Sequence, residues 1–282
     1  MKTDLECFPC FLKQTLSAAA VAKMNRNQTQ KAVKEVLNIL KDINMELPPP
    51  LMGRDIHNII KKISENPDPY KELKNFQNNT ALKLLDELKN EIAYAEDSFE
   101  TAVKFSIAGN AIDLGTSTTV SADVKDSFKN ALAKQIDKAE VSKLKKEIEN
   151  SKKILFLADN SGEIIFDIPL MEYIGKEKLT VAVRSNPIIN DVTLKEAEQC
   201  KISSMFKVIE NGSDLPGTWL DECRENFKNE FESSDLIISK GQGNFETLSS
   251  LNRSIFYLFL VKCKVIAKIT GQKPDTFIIQ KI

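Results

Sequence analysis

The sequence predicts an α/β protein in which an N-terminal helical domain precedes a three-layer α/β/α domain with a mostly parallel sheet. Three observations predict it. The first part of the chain carries apolar residues at helical spacing, with Val33, Val36, Leu37 and Leu40 on one face. From residue 152 onward, short apolar runs alternate with helix-like runs. Strands that are apolar throughout are covered on both faces, and strands joined by helices pair in parallel. The 282 residues suffice for one or two domains. The reading divides them into 1–105, helical, and 106–282, which carries the sheet, with a diffuse boundary over 105–150.

The elements follow in order. Helices are expected over 11–23 and 28–43. Leu47-Pro48-Pro49-Pro50-Leu51 interrupts the pattern as an extended connector, since proline removes a helix donor. A short helix over 54–63 leads to the turn cluster Asn66-Pro67-Asp68-Pro69-Tyr70. Further helices are read over 71–95, with Leu82, Leu85 and Leu88, and over 97–107. In the second part, strands are expected at 153–158, 179–183, 205–209, 236–239 and 255–261. Helices are expected at 163–174, 193–200, 219–231 and 245–251. Thr193 and Glu196 form the T-x-x-E pattern of a capping box, which starts a helix there.

Composition excludes several classes. Hydrophobic residues make up 42% and charged residues 28%, which rules out collagen-like, low-complexity and fully disordered chains. The 39 basic and 40 acidic residues give a net charge of −1. No basic excess exists to displace counterions, so nucleic-acid binding is not expected. Five scattered cysteines, Cys7, Cys10, Cys200, Cys223 and Cys263, fit a reducing compartment better than a disulfide framework. Asp4, Glu6 and Pro9 stand where a signal peptide would be basic and then apolar. The best apolar stretch, 255–269, is interrupted by Lys262, Lys264 and Lys268 and is shorter than the roughly 20 residues of a membrane span. A cytoplasmic protein without membrane contact is expected. Nothing in the sequence sets its oligomeric state.

Ligands of an open α/β sheet bind beyond the carboxyl ends of its strands. Those ends carry Asp159-Asn160-Ser161-Gly162-Glu163, Arg184-Ser185-Asn186 with Asn190-Asp191, Asn211-Gly212, and Lys240-Gly241-Gln242-Gly243-Asn244. Asp159, Asn160 and Asp191 are hard oxygen donors of the kind that hold Mg2+ or Mn2+. Helix capping is the ordinary role of such residues, but two clusters at neighbouring strand ends point to a site. Lys240 and the glycines after it suit an anion, although neither the Walker A spacing nor G-x-G-x-x-G is present. A plain βα turn accounts for them equally well. Asn110 and Asp113 share a helix face and are candidates to close the site. Glu163, Arg184, Asn190 and Asn244 are further candidates for positioning substrate or water.

Cys7-Phe8-Pro9-Cys10 has C-x-x-C spacing but opens a helix rather than following a strand, and no further zinc partners are evident. A packing role is expected. His57, the one histidine, is expected to be packed or solvated. Histidine-based catalysis and a multi-histidine metal site are therefore disfavoured.

These motifs in this order resemble the metal-dependent damage-control phosphatases, once a family of unknown function. The likeness runs almost end to end: Cys7-x-x-Cys10, Asn66-Pro67-Asp68-Pro69-Tyr70, Gly109-Asn110-Ala111-Ile112-Asp113, Asp159-Asn160-Ser161-Gly162-Glu163, Asn190-Asp191-Val192-Thr193 and Lys240-Gly241-Gln242-Gly243-Asn244. Ser161 departs from the alanine of many relatives. The cysteine pair is most similar to the microbial stand-alone branch. The resemblance implies a helical domain beside an α/β/α domain, and hydrolysis of phosphate from small, often damaged phosphometabolites. It implies a divalent metal, Mn2+ or Mg2+ with Ni2+ or Co2+ as alternatives, held by Asp159, Asn160 and Asp191. The family's lysine falls on Lys240.

The expected activity is thus a metal-dependent phosphatase acting on a small phosphorylated metabolite. Asp159, Lys240 and Glu163 are the catalytic candidates. Asn110, Asp113, Arg184, Asn190, Gly241 and Asn244 are the substrate-binding candidates. A metal-activated water is the first choice of nucleophile and Asp159 the second. The alternative is a non-catalytic nucleotide- or sugar-phosphate-binding protein, which turnover of an aryl phosphate with Mn2+ would exclude.

Overall fold

A computed structural model describes residues 1–111, 130 and 132–282, with the side chains of 110 and 111 excepted. The chain starts with helices α1 (Cys7–Val21), α2 (Arg26–Leu40) and α3 (Pro49–Ser64). Asn25 and Gln28 cap α2 reciprocally. Pro49 and Pro50 are not a connector: they occupy the first turn of α3, where a missing N–H costs nothing. These three helices pack on one another around Phe11, Val36, Leu40, Met52 and Ile56. Two long helices follow, α4 (Lys71–Ala93) and α5 (Ser98–Ala111), and then α6 (Lys138–Asn150), capped by Asp137.

The sheet then forms. Its strands and crossovers are β1 (Ile154–Leu157), α7 (Glu163–Ile174), β2 (Leu179–Val183), α8 (Leu194–Gln199), α9 (Ile202–Met205), β3 (Lys207–Glu210), α10 (Glu225–Ser233), β4 (Leu236–Lys240), α11 (Gln242–Leu248), β5 (Ile255–Leu260), α12 (Lys264–Thr270) and β6 (Phe277–Lys281). The expected capping box of Thr193 and Glu196 is present. The strand order is β3-β2-β1-β4-β5-β6. All pairings are parallel except β5–β6, which is antiparallel. Neither β6 nor α6 was anticipated, and the expected helix over 219–231 is a short 3-10 turn followed by α10.

Alternation along the strands builds the three layers. Ile154, Phe156, Val181, Ile238, Phe256 and Leu258 face one side, packed with α4, α5, α6 and α7. Leu155, Leu157, Ile237, Tyr257 and Phe259 face the other, packed with α10, α11 and α12. Helices α4 and α5 therefore belong to the core of the sheet. Helix α7 is apolar almost all round because it is covered by α4, α5 and the sheet together. Among the described residues, no helix is long and apolar enough to cross a membrane.

The order reverses between β1 and β4. From β1 the chain moves outward to β2 and β3, then returns to β4 on the other side of β1. In open α/β sheets the ligand crevice lies at such a switch point, beyond the carboxyl ends of the two central strands.

Candidate active site

The β1 and β4 ends place Asp159–Glu163 and Lys240–Asn244 side by side at this crevice. The Asp191 loop joins them. Asn160 bridges Asp191, Val192 N donates to Asp159 O at 2.9 Å, and Ser161 N donates to Asn190 O at 2.8 Å. Asp159, Asn160 and Asp191 are thereby brought together, as is Glu163 on the first turn of α7.

Asn160 Nδ2 donates to Asp159 Oδ2 at 2.7 Å and to Glu163 Oε2 at 2.9 Å. Only the amino group of an amide can serve two carboxylates. The amide is thereby oriented with its amino group on the two carboxylates. Gly241 is the other wall. A Cβ there would lie 1.9 Å from Asp159 Oδ2, and its φ of +80° is a left-handed conformation that glycine adopts without strain.

Charge is unbalanced here. Glu163 and Asp167 pair with Lys240 and Asp191 pairs with Arg184, both cations buried, while Asp159 lies beside them within reach of Lys262. Burial, then the like charges of Glu163 and Asp191, hold the Asp159 carboxyl well above the ordinary carboxylate range. Burial raises Asp191 to about 6 against the pull of Arg184. Burial likewise raises Asp167 to about 6, against Lys240. Carboxyl groups outnumber the buried cations paired with them here, and such crowding favours a bound positive charge.

The other candidates are already engaged. Arg184 Nε donates to Asp191 Oδ2 at 2.8 Å, and its two terminal nitrogens donate to Thr218 Oγ1 and Asn244 Oδ1. Asn244 Nδ2 donates to Lys240 O at 2.8 Å. These side chains lock the Asp191 loop to the β4 end rather than facing a ligand. Gly241 N–H is given to Leu258 O at 3.2 Å, so it is no free anion donor, contrary to the expectation for this turn. Lys240 is fully buried, and its ammonium donates to Ser106 O, Glu163 Oε1 and Asp167 Oδ1. With every donor taken, it is not open to a phosphate in this conformation. Asn110 falls in the last turn of α5; its side chain and Asp113 lie outside the described residues.

Sequence reasoning missed the supports supplied by α4 and α5. Asn78 Oδ1 accepts from Gly162 N at 2.6 Å, and Gln77 Oε1 accepts from Asn190 Nδ2 at 3.3 Å. Lys74 is buried between Asp68 and Glu196. Ser106 and Asp167 were missed too. Asp167 sits in the apolar middle of α7, between Phe166 and Ile168, which is a readable signal of a buried partner. Helix α3 roofs the strand ends from above: Lys61 Nζ donates to Pro187 O at 2.6 Å, and Arg54 pairs with Glu222. His57 is packed, not solvated, against Tyr70, and burial lowers its pKa to about 4, which keeps it neutral.

Cys263 is not isolated. It lies at the start of α12, near enough to Cys7 and Cys10 for its charge to oppose their ionisation, and Glu246 acts likewise on both. Burial is the main cause that pushes Cys7 up to about 11. Among the described residues, no three His, Cys, Asp or Glu side chains stand in a metal-ligating arrangement. The oxygen donors at the switch point are two carboxylates and one amide.

The chain matches a family model described as the damage-control phosphatase ARMT1-like domain over residues 3–276. It is 38% identical to an uncharacterised protein of Methanocaldococcus jannaschii over 96% of this chain and 92% of the relative. It is 31% identical to a damage-control phosphatase of Pyrococcus horikoshii, covering 95% and 94% of the two chains. It is also 31% identical to one of Archaeoglobus fulgidus, covering 96% of each. A crystal structure of a DUF89 family protein from Pyrococcus horikoshii superimposes with a TM-score of 0.91, at 30% identity, over 100% of this chain and 99% of that one. With its length, fold and motif order all matched, the chain belongs to the damage-control phosphatase ARMT1-like family.

Proposed function

We propose that this protein is a divalent-metal-dependent phosphatase that hydrolyses small phosphorylated metabolites. One observation carries the reading. At the switch point, Asp159, Asn160 and Asp191 converge in an acid-rich cluster, and Asp159 and Glu163 fix the Asn160 amide. Hard oxygen donors gathered in this way fit Mg2+ or Mn2+. When bound, such an ion supplies the positive charge that a phosphate ester and its attacking water require.

The chain's own residues prepare the rest. Asn160 is oriented by Asp159 and Glu163. Asp191 is held by Arg184, which Thr218 and Asn244 hold in turn. Asp159 stands beside Asn160, and Gly241 leaves room for its carboxyl at the strand ends. Helices α3 and α4 hold the loops at the strand ends through Lys61, Asn78 and Gln77. Lys240 acts from beneath through Glu163.

The test is phosphate release from an aryl phosphate and a panel of phosphometabolites, assayed with Mg2+, Mn2+, Co2+ and Ni2+ and after chelation. Metal-dependent turnover supports the reading. Binding of a phosphometabolite with no turnover under any metal would mark a non-catalytic binding protein instead.

A further inference from the structure

Lys240 and Asp167 lie beneath the oxygen donors, and both are fully buried. The ammonium donates to Ser106 O at 2.8 Å, to Glu163 Oε1 at 2.8 Å and to Asp167 Oδ1 at 2.5 Å. Asp167 Oδ1 also accepts from Ser106 Oγ at 2.6 Å. Asp167 Oδ2 is buried without a hydrogen-bond partner. Such a half-paired carboxylate does not maximise stability, and its presence needs another account.

Glu163 supplies that account. Its Oε1 accepts from Lys240 and its Oε2 accepts from Asn160 Nδ2. One ammonium therefore meets two carboxylates, and its charge can offset only one of them.

We propose that Asp167 is a positioning residue of the active site, which neutralises Lys240 so that Glu163 keeps its negative charge for Asn160 and for a cation at the strand ends. The inference rests on the metal-dependent reading above. Without the charge on Asp167, Lys240 offsets Glu163. The cluster then loses a negative charge, and the carboxylate that orients Asn160 weakens as an acceptor. Ser106 shares the task, since its carbonyl and its hydroxyl fix Lys240 and Asp167 in one place.

Asp167→Asn keeps the shape of the side chain and an acceptor for Lys240. Calorimetric titration of Mn2+ into the parent and the variant reads the effect without turnover. The variant is expected to bind Mn2+ about tenfold more weakly, because a buried charge linked to Asn160 through Lys240 and Glu163 is lost. It should still unfold cooperatively. A lowered melting temperature with unchanged Mn2+ affinity would mean a merely structural residue and overturn the proposal.

A second variant serves if the first does not fold. Lys240→Met with Asp167→Leu removes both charges and leaves Glu163 its hydrogen bond to Asn160; buried ion pairs often tolerate such apolar replacement. Its Mn2+ affinity is expected within about threefold of the parent, since the deleted charges cancel. A loss equal to that expected of Asp167→Asn overturns the proposal. A parent that binds no Mn2+ overturns both this inference and the metal reading. A parent that binds Mn2+ but hydrolyses nothing overturns the phosphatase reading alone, and the affinities still decide the role of Asp167.

Discussion

At the scale of single residues, one side chain often serves both the fold and the site. Asp191 illustrates this. It is an oxygen donor at the crevice, and it is also the buried partner of Arg184 at 2.8 Å. Asp191→Ala leaves a buried guanidinium without its counter-ion and should cost about 3–5 kcal/mol of stability. Asp191→Asn keeps an acceptor for Arg184 Nε and should cost clearly less, while still removing an anionic ligand. Chemical denaturation of the two variants checks the order; equal stability would mean that the Arg184 pair holds nothing. The cysteines behave oppositely. Cys7 is pushed up to about 11, so almost none of it is thiolate near neutral pH, and a thiol in that state is a poor nucleophile. The double replacement Cys7→Ser with Cys10→Ser should leave phosphate-release kcat within a few-fold of the parent. A folded, metal-loaded but inactive double variant would place the thiols in the mechanism. Strand-end position singled out Asp159, Asn160 and Asp191, and the structure brings the three together. Strand-end position did not reveal that Arg184, Asn244 and Lys240 have their polar groups committed inside the protein. That commitment depends on Thr218, Ser106 and Asp167, which lie far from them in the chain and carry no local motif.

At the scale of elements, the strands were legible because a strand covered on both faces is written as an unbroken apolar run. The run over 179–183 matches β2 residue for residue, and 163–174 matches α7. Edges were harder. In β3 the expected run began at Met205, which the structure places in the short helix α9, and β3 itself is only partly buried. Strand β6 was missed because Phe277–Lys281 ends in Gln280 and Lys281 and pairs on one side only. The prolines before α3 were read as breakers, although proline in a first helical turn is a start signal. Turns can be tested directly by adding one carbon. Gly241 and Gly175 both have positive φ, +80° and +91°, but a Cβ at Gly175 meets nothing within 4 Å. Gly175→Ala should therefore cost only the left-handed strain, about 1–2 kcal/mol, and leave activity intact. Gly241→Ala adds a collision with the Asp159 carboxylate and should lower phosphate release by roughly a hundredfold or more through a misplaced donor. Similar activities of the two variants would show that Asp159 need not lie where the structure places it.

At the scale of the whole molecule, the function follows from the strand order. Because β4 returns beside β1, the motifs after those two strands meet at one crevice although some 80 residues separate them in sequence. Alternating runs predict a parallel sheet, but not which strands are central. The order had to come from the structure, and it turns a list of strand-end motifs into one site. The helical part was likewise legible as helices and not as a roof. What joins α3 and α4 to the crevice are single contacts, Lys61 to Pro187, Asn78 to Gly162 and Gln77 to Asn190, which follow no periodicity. The central claim is that the unbalanced acidic cluster at this crevice holds a divalent cation that drives phosphate release. Its most direct test is a single series: phosphate release by the parent and by Asp191→Asn, each after chelation and after Mn2+ is returned. The account predicts that chelation abolishes release by the parent without unfolding it, that Mn2+ restores release, and that Asp191→Asn stays folded yet inactive at the same Mn2+. Full activity in chelator, or in Asp191→Asn, would contradict it.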